Sequence, residues 1–116
     1  MSPEQQLLEY DRRHVWHPYA PTIGADPMLA VTAANGVWLQ LHDGEHRHEV
    51  IDAMASWWCQ IHGYRNPVLD EALNRQSSQF SHVMFGGLTH KAAVDAVISL
   101  VRLAPGPLDR IFLADS

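Results

Sequence analysis

Arg110-Ile111-Phe112-Leu113-Ala114-Asp115-Ser116, RIFLADS, is the stretch whose reading decides the fold class. Its first five residues predict a buried strand: a short apolar run without the alternation of a half-solvated one, closed by two small polar residues. Such a strand needs neighbours on both sides. In α/β folds a strand end is also where ligand loops begin, often as a glycine-rich turn into a helix N-terminus. The sequence stops where that turn is expected. On this reading the chain is the front part of an α/β protein rather than a finished domain.

Working back from that strand, Pro105-Gly106-Pro107 ends a helix whose apolar stripe is Ala92, Ala93, Ala96, Val97, Leu100 and Val101, with Thr89 placed to cap it. Ser81 to Gly87 reads as a loop. Asn66-Pro67 starts another helix, an N-cap residue followed by proline at the first helical position, with Leu69, Ala72, Leu73, Gln76 and Phe80 on one face. Before it stands Ser56-Trp57-Trp58-Cys59-Gln60-Ile61-His62-Gly63-Tyr64. Successive side chains of a strand point to opposite faces, so two adjacent tryptophans cannot share one core there. Core packing and the lining of a pocket both stay open for the pair. Cys59 has no base beside it in sequence and reads as a buried thiol.

Further upstream, Val37 to Leu41 alternates as a strand, Asp43-Gly44 is the signature of a two-residue hairpin turn, and the return strand runs from about Glu45 to Ile51. Met28 to Thr32 is a candidate strand, followed by a turn at Ala33-Ala34-Asn35-Gly36. The Asp43-Gly44 hairpin carries His42, His46 and His48. With a two-residue turn His42 opposes Glu45 and His46 opposes Leu41, which puts His42 on the other face from His46 and His48. Solvated histidines are therefore favoured over a metal site. Residues 3–14 read as a polar helix, and Pro18 and Pro21 hold Tyr19 on an irregular segment.

Composition narrows the function classes. The 116 residues are 47% hydrophobic, a globular share, and carry a net charge of −5 with eight Lys and Arg and no basic stripe, which disfavours nucleic acid. No apolar run approaches a membrane span, and the N-terminus lacks the pattern of a secretory signal. One cysteine excludes an internal disulfide and fits a reducing cytoplasm. Lys91 is the one lysine.

Several motifs, in order, carry a family resemblance. Asp11-Arg12-Arg13-His14-Val15-Trp16-His17-Pro18-Tyr19, Asp52-Ala53-Met54-Ala55-Ser56-Trp57-Trp58, Ile61-His62-Gly63-Tyr64, Ser81-His82-Val83-Met84-Phe85-Gly86-Gly87-Leu88-Thr89-His90 and Phe112-Leu113-Ala114-Asp115-Ser116 resemble those of the adenosylmethionine–8-amino-7-oxononanoate aminotransferases. That family lies within the class III, fold-type I enzymes that use pyridoxal 5′-phosphate (PLP). The resemblance spans about residues 8–116. It implies a homodimer of biotin biosynthesis that moves an amino group from S-adenosylmethionine to 8-amino-7-oxononanoate and gives 7,8-diaminononanoate. It implies substrate-binding roles for Tyr19, Trp57 and Trp58, with His62-Gly63-Tyr64 as the turn that fixes the tryptophan wall. It implies that Met84, Phe85 and Gly86 belong to a loop reaching the partner subunit's active site. It places residues 1–62 in the N-terminal segment and hairpin of a small domain, and residues 63–116 at the start of the large PLP-binding domain.

The sequence departs from the family chiefly in what it lacks. The phosphate-binding Gly-Ser, the ring-stacking aromatic, the acid facing the pyridinium nitrogen and the Schiff-base lysine are all expected after Ser116. Lys91, in the first turn of a helix, does not stand in for that lysine. No catalytic, cofactor-binding or metal-binding residue is therefore assigned within these residues, and the chain alone is expected to be inactive. Ala53 and Ala55 stand where the family has Gly and Ser. Two other readings remain: a class III aminotransferase with a different amino donor, and a non-catalytic remnant or binding module.

Overall fold

A computed structural model describes residues 1–114 and contains, in chain order, α1 (Pro3–His14), β1 (Ala30–Asn35), β2 (Trp38–His42), β3 (Arg47–Ile51), α2 (Pro67–Ser77) and α3 (Lys91–Leu103). Two compact units divide it, Met1–Arg75 and the residues from Gln76 onward.

In the first unit, α1 opens with a reciprocal cap. The Ser2 hydroxyl accepts from Gln5 N at 3.1 Å, and Gln5 Oε1 accepts from Ser2 N at 2.8 Å, with Pro3 at the first helical position. The three strands form one antiparallel sheet in the order β1-β2-β3. β1 begins two residues later than expected and runs through Ala33-Ala34-Asn35, so the turn to β2 is Gly36-Val37 between the paired Asn35 and Trp38. Gly36, at φ 58°, fills the first central position, where a II′ turn needs positive φ.

The β2–β3 connection also differs from expectation. His42 pairs with Arg47 and Leu41 with His48, so the loop is the four residues 43–46 rather than two. Asp43 is the reason. Its Oδ1 accepts from Glu45 N at 2.8 Å and from His46 N at 2.7 Å, and this capture of loop amides competes with the tight turn. Only Gly44 of the loop takes positive φ, at 104°.

Little of the chain is enclosed. Among the described residues only Ala30, His42 and Ala93 are buried, and the first two face each other across β1 and β2. His42 Nδ1 accepts from Gly44 N at 3.0 Å, which satisfies its polar atom there.

In the second unit α3 is capped by His90, not Thr89: His90 Nδ1 accepts from Ala93 N at 3.3 Å. Phe80 and Phe85 both meet the His90 ring edge-on, at 5.6 and 5.7 Å between centroids. The expected stripe of α3 buries only Ala93, with Val97 and Val101 half-buried. Arg110 to Ala114 forms no strand. A strand exists only where neighbours complete its hydrogen bonds, and no described segment pairs with it. Phe112 is 92% exposed. Asp115 and Ser116 lie outside the described residues.

Candidate functional site

The predicted aromatic residues of the first unit come from two loops with the same backbone habit. His17-Pro18-Tyr19-Ala20 is a turn closed by Ala20 N donating to His17 O at 3.4 Å. Pro18 sets its first central position, and Tyr19 takes φ 60° at the second, the place usually left to glycine. Trp16 Nε1 donates to Ala20 O at 2.9 Å, and the His17 ring meets Asp11 Oδ2 of α1 at 2.8 Å. Tyr19 is thus held at both sides of its turn, while its own ring stays open to solvent.

The tryptophans sit on neither a strand nor an ordinary helix. Ala55, Ser56, Trp57 and Trp58 have φ of 47°, 46°, 53° and 69°, four consecutive left-handed residues without a glycine. Trp58 N donates to Met54 O at 3.1 Å and Gln60 N to Ala55 O at 2.9 Å, so the segment is a left-handed helical turn. Left-handed helix costs an L-residue roughly 1–2 kcal/mol. Something outside the turn must hold it.

The hold is at its base. Asp52 N donates to Val37 O at 2.9 Å. Gly36 and Tyr64 exchange both backbone hydrogen bonds, Gly36 N to Tyr64 O at 3.0 Å and Tyr64 N to Gly36 O at 2.7 Å. Both ends of the loop are therefore tied to the same Gly36-Val37 turn. The Tyr64 hydroxyl crosses the neck and donates to Asp52 Oδ2 at 2.6 Å; Ser56 Oγ donates to the same oxygen at 3.0 Å and also contacts the Tyr64 hydroxyl. The Tyr64 hydrogen bond, followed by that of Ser56, keeps the Asp52 carboxyl below its ordinary range, and the carboxylate in turn raises the phenol of Tyr64.

Tyr19 and Trp57 meet edge to face, 5.8 Å between ring centroids at 78°. Trp58, the next residue, is 80% exposed. The arrangement presents uncharged aromatic surface suited to an alkyl chain or a flat heterocycle. The unit's groove of about 650 Å³, lined by α1, the 21–28 segment and Asp43 to Glu45, contains none of these three residues. Met84, Phe85 and Gly86 belong to the second unit, where Met84 and Phe85 are largely exposed. Cys59 is exposed rather than buried, because the left-handed turn carries it outward; its Sγ lies 3.8 Å from Trp57 O.

Asp52 and Ser56 escaped sequence reading, although His62-Gly63-Tyr64 was expected to fix the wall. The Asp-to-Ser spacing of four was the available signal, but it means little until the loop closes on itself.

Among the described residues, Lys91 is the one lysine, and it does not fit the role of a lysine that holds PLP. Lys91 is a surface residue, 86% exposed in its side chain and paired with Asp95 at 2.5 Å. Nor does any group of three or more His, Cys, Asp or Glu among the described residues suit a metal ion. The hairpin histidines diverge: His42 is buried, His48 contacts Asp43 Oδ2 at 2.9 Å, and His46 stands 3.8 Å from the same oxygen with its ring exposed.

With this geometry in hand, known proteins give a consistent picture. The chain is 47% identical over 113 residues to the adenosylmethionine-8-amino-7-oxononanoate aminotransferase of Buchnera aphidicola subsp. Baizongia pistaciae, covering 97% of this chain and 26% of that protein. It is 49% identical over 113 residues to the enzyme of the same name from Saccharomyces cerevisiae, covering 96% and 24%. A thermostable (S)-enantioselective omega-transaminase from Thermomicrobium roseum superposes with a TM-score of 0.79 at 26% identity, over 94% of this chain and 24% of its own. The chain thus spans about a quarter of the length of the curated relatives it matches. The aminotransferase class-III profile matches residues 20–116, and the chain belongs to that family.

Proposed function

We propose that the protein carrying this chain is a PLP-dependent aminotransferase of biotin biosynthesis, moving an amino group from S-adenosylmethionine to 8-amino-7-oxononanoate. In this reading Tyr19, Trp57 and Trp58 form the substrate wall. The observation that carries it is the ring contact between Tyr19 and Trp57, two residues far apart in sequence that the family resemblance assigns to the same pocket. Their surface offers contact area without charge, which a long alkyl acceptor and an adenine-bearing donor both need. PLP would be held through a lysine other than Lys91, which is exposed and paired with Asp95.

Residues 1–62 would belong to a small domain and residues 63–116 would open the large one. The Met84-Phe85-Gly86 loop would reach the partner subunit's active site in a homodimer. The single, exposed, free Cys59 suits a reducing compartment, so the cytoplasm is the proposed location. No described helix is long and apolar enough to cross a membrane.

The test is Trp57→Ala in the full-length protein. Covering about 100 Å² of its apolar surface contributes about 2.5 kcal/mol at about 25 cal/mol/Å², so KM for the oxononanoate should rise about 70-fold. PLP content, read from cofactor absorbance, should hold. Equal loss of both would remove Trp57 from the pocket. The likeness to an omega-transaminase favours one second reading, a class III enzyme with another amino donor. Activity with simple amines but none with S-adenosylmethionine would establish it.

A further inference from the structure

The left-handed turn that carries the tryptophans is held by the side chains of Asp52 and Ser56, which have no assigned role, and by the hydroxyl of Tyr64, so far only part of the turn expected to fix the wall. Four adjacent L-residues at positive φ oppose their own steric preference, so the tip does not keep its shape unaided. The restraint comes from the neck. Backbone hydrogen bonds fasten both ends of the loop to Gly36-Val37, and the side chains of Asp52, Ser56 and Tyr64 converge across it. Ser56 is itself one of the left-handed residues, so its bond to Asp52 ties the turn directly to the neck. The next two residues are Trp57 and Trp58.

We propose that Asp52, Ser56 and Tyr64 are positioning residues that lock this turn and set the angle at which Trp57 and Trp58 meet the amino acceptor. The proposal rests on the substrate-wall reading above. Asp52 acts as the shared acceptor, Tyr64 as the strut from the neck, and Ser56 as the link to the turn. None of the three needs to touch substrate.

Removing one hydroxyl from such a cluster leaves the polypeptide intact but frees the turn. In the full-length enzyme with PLP bound, Tyr64→Phe should raise KM for 8-amino-7-oxononanoate about tenfold, in line with the loss of a hydrogen bond to a charged group. The kcat at saturation and the PLP absorbance should stay within about twofold, because those hydrogen bonds lie away from the cofactor grip. Near-UV circular dichroism from the tryptophans should weaken as their fixed orientation is lost. Asp52→Asn keeps an oxygen for the Tyr64 hydroxyl and should lose less than Asp52→Ala. Trp57→Ala, measured alongside, separates the two ideas. If it raises the acceptor KM while Tyr64→Phe and Asp52→Ala do not, the lock is wrong and the wall stands. If Trp57→Ala itself leaves the acceptor KM unchanged, the wall falls and the lock with it. If Tyr64→Phe lowers PLP content and kcat by the same factor, the cluster serves general stability and the proposal is overturned.

Discussion

Gly63→Ala is the most informative perturbation of the neck. Gly63 has φ 79°, and a Cβ built on it would stand 3.0 Å from the Gly36 carbonyl oxygen and 3.4 Å from Gly36 C and Cα. That oxygen is the acceptor for Tyr64 N. Alanine therefore meets two costs. Left-handed backbone costs roughly 1–2 kcal/mol. Pushing Gly36 away weakens the two Gly36–Tyr64 hydrogen bonds, a further loss of about 1–2 kcal/mol. The total, about 2–4 kcal/mol, corresponds to about a thirty- to several-hundredfold increase in local opening. Gly36→Ala supplies the internal control: φ is 58°, but nothing lies within 4 Å of the added Cβ. It should bear the backbone cost alone, about five- to thirtyfold. Hydrogen exchange of the residue-36 and Tyr64 amides in the full-length protein reads both variants. Equal effects of the two would mean that the close approach at Gly63 does not hold the neck. No effect of Gly63→Ala would refute the neck altogether.

Two further outcomes follow. Asp52 is held below its ordinary value of 3.8, so its contribution is full above that pH and disappears as pH falls through the lower folded value. Tyr64 is raised above 10.0, so its contribution is full below that pH and disappears as pH rises through the higher folded value. Tryptophan circular dichroism of the loop should therefore be flat between those limits and fall on both sides; a midpoint near neutrality would assign the transition to other groups. Separately, the 116-residue chain alone should bind a hydrophobic dye and unfold without a sharp transition, because Leu69, Leu73, Leu100 and Phe112 are all exposed. Cooperative thermal unfolding of the isolated monomer would contradict this.

The helices were legible because their signals are local. Asn66-Pro67 announces the start of α2, and Asn66 Oδ1 does accept from Val68 N and Leu69 N, whereas α3 is capped by His90 and not by Thr89. The strands were legible in number near the hairpin but not in register. Whether Asp43 folds its carboxylate onto the loop amides is a choice that apolar alternation does not encode. Arg110 to Ala114 has the composition of a buried strand, yet composition supplies no hydrogen-bond partners. The left-handed turn was invisible for a deeper reason: Ala-Ser-Trp-Trp contains no residue that prefers positive φ. Its conformation is imposed by a bridge between Gly36 and Tyr64, nearly thirty residues apart. Tyr19 and Trp57 entered through motif resemblance, and only the folded chain puts their rings together.

The neck at Gly36-Val37 has a consequence for how such a protein changes over time. Both roots of the loop rest on one two-residue turn, and the first root continues directly from β3, where Ala53 N donates to Ile51 O at 3.1 Å. The side chains of Met54 and Ile61 are exposed, so exchanges there reshape the outer surface of the loop while its backbone hydrogen bonds stay. On the substrate-wall proposal, the loop is a cassette in which preference for one molecule over another can drift while the scaffold stays unchanged.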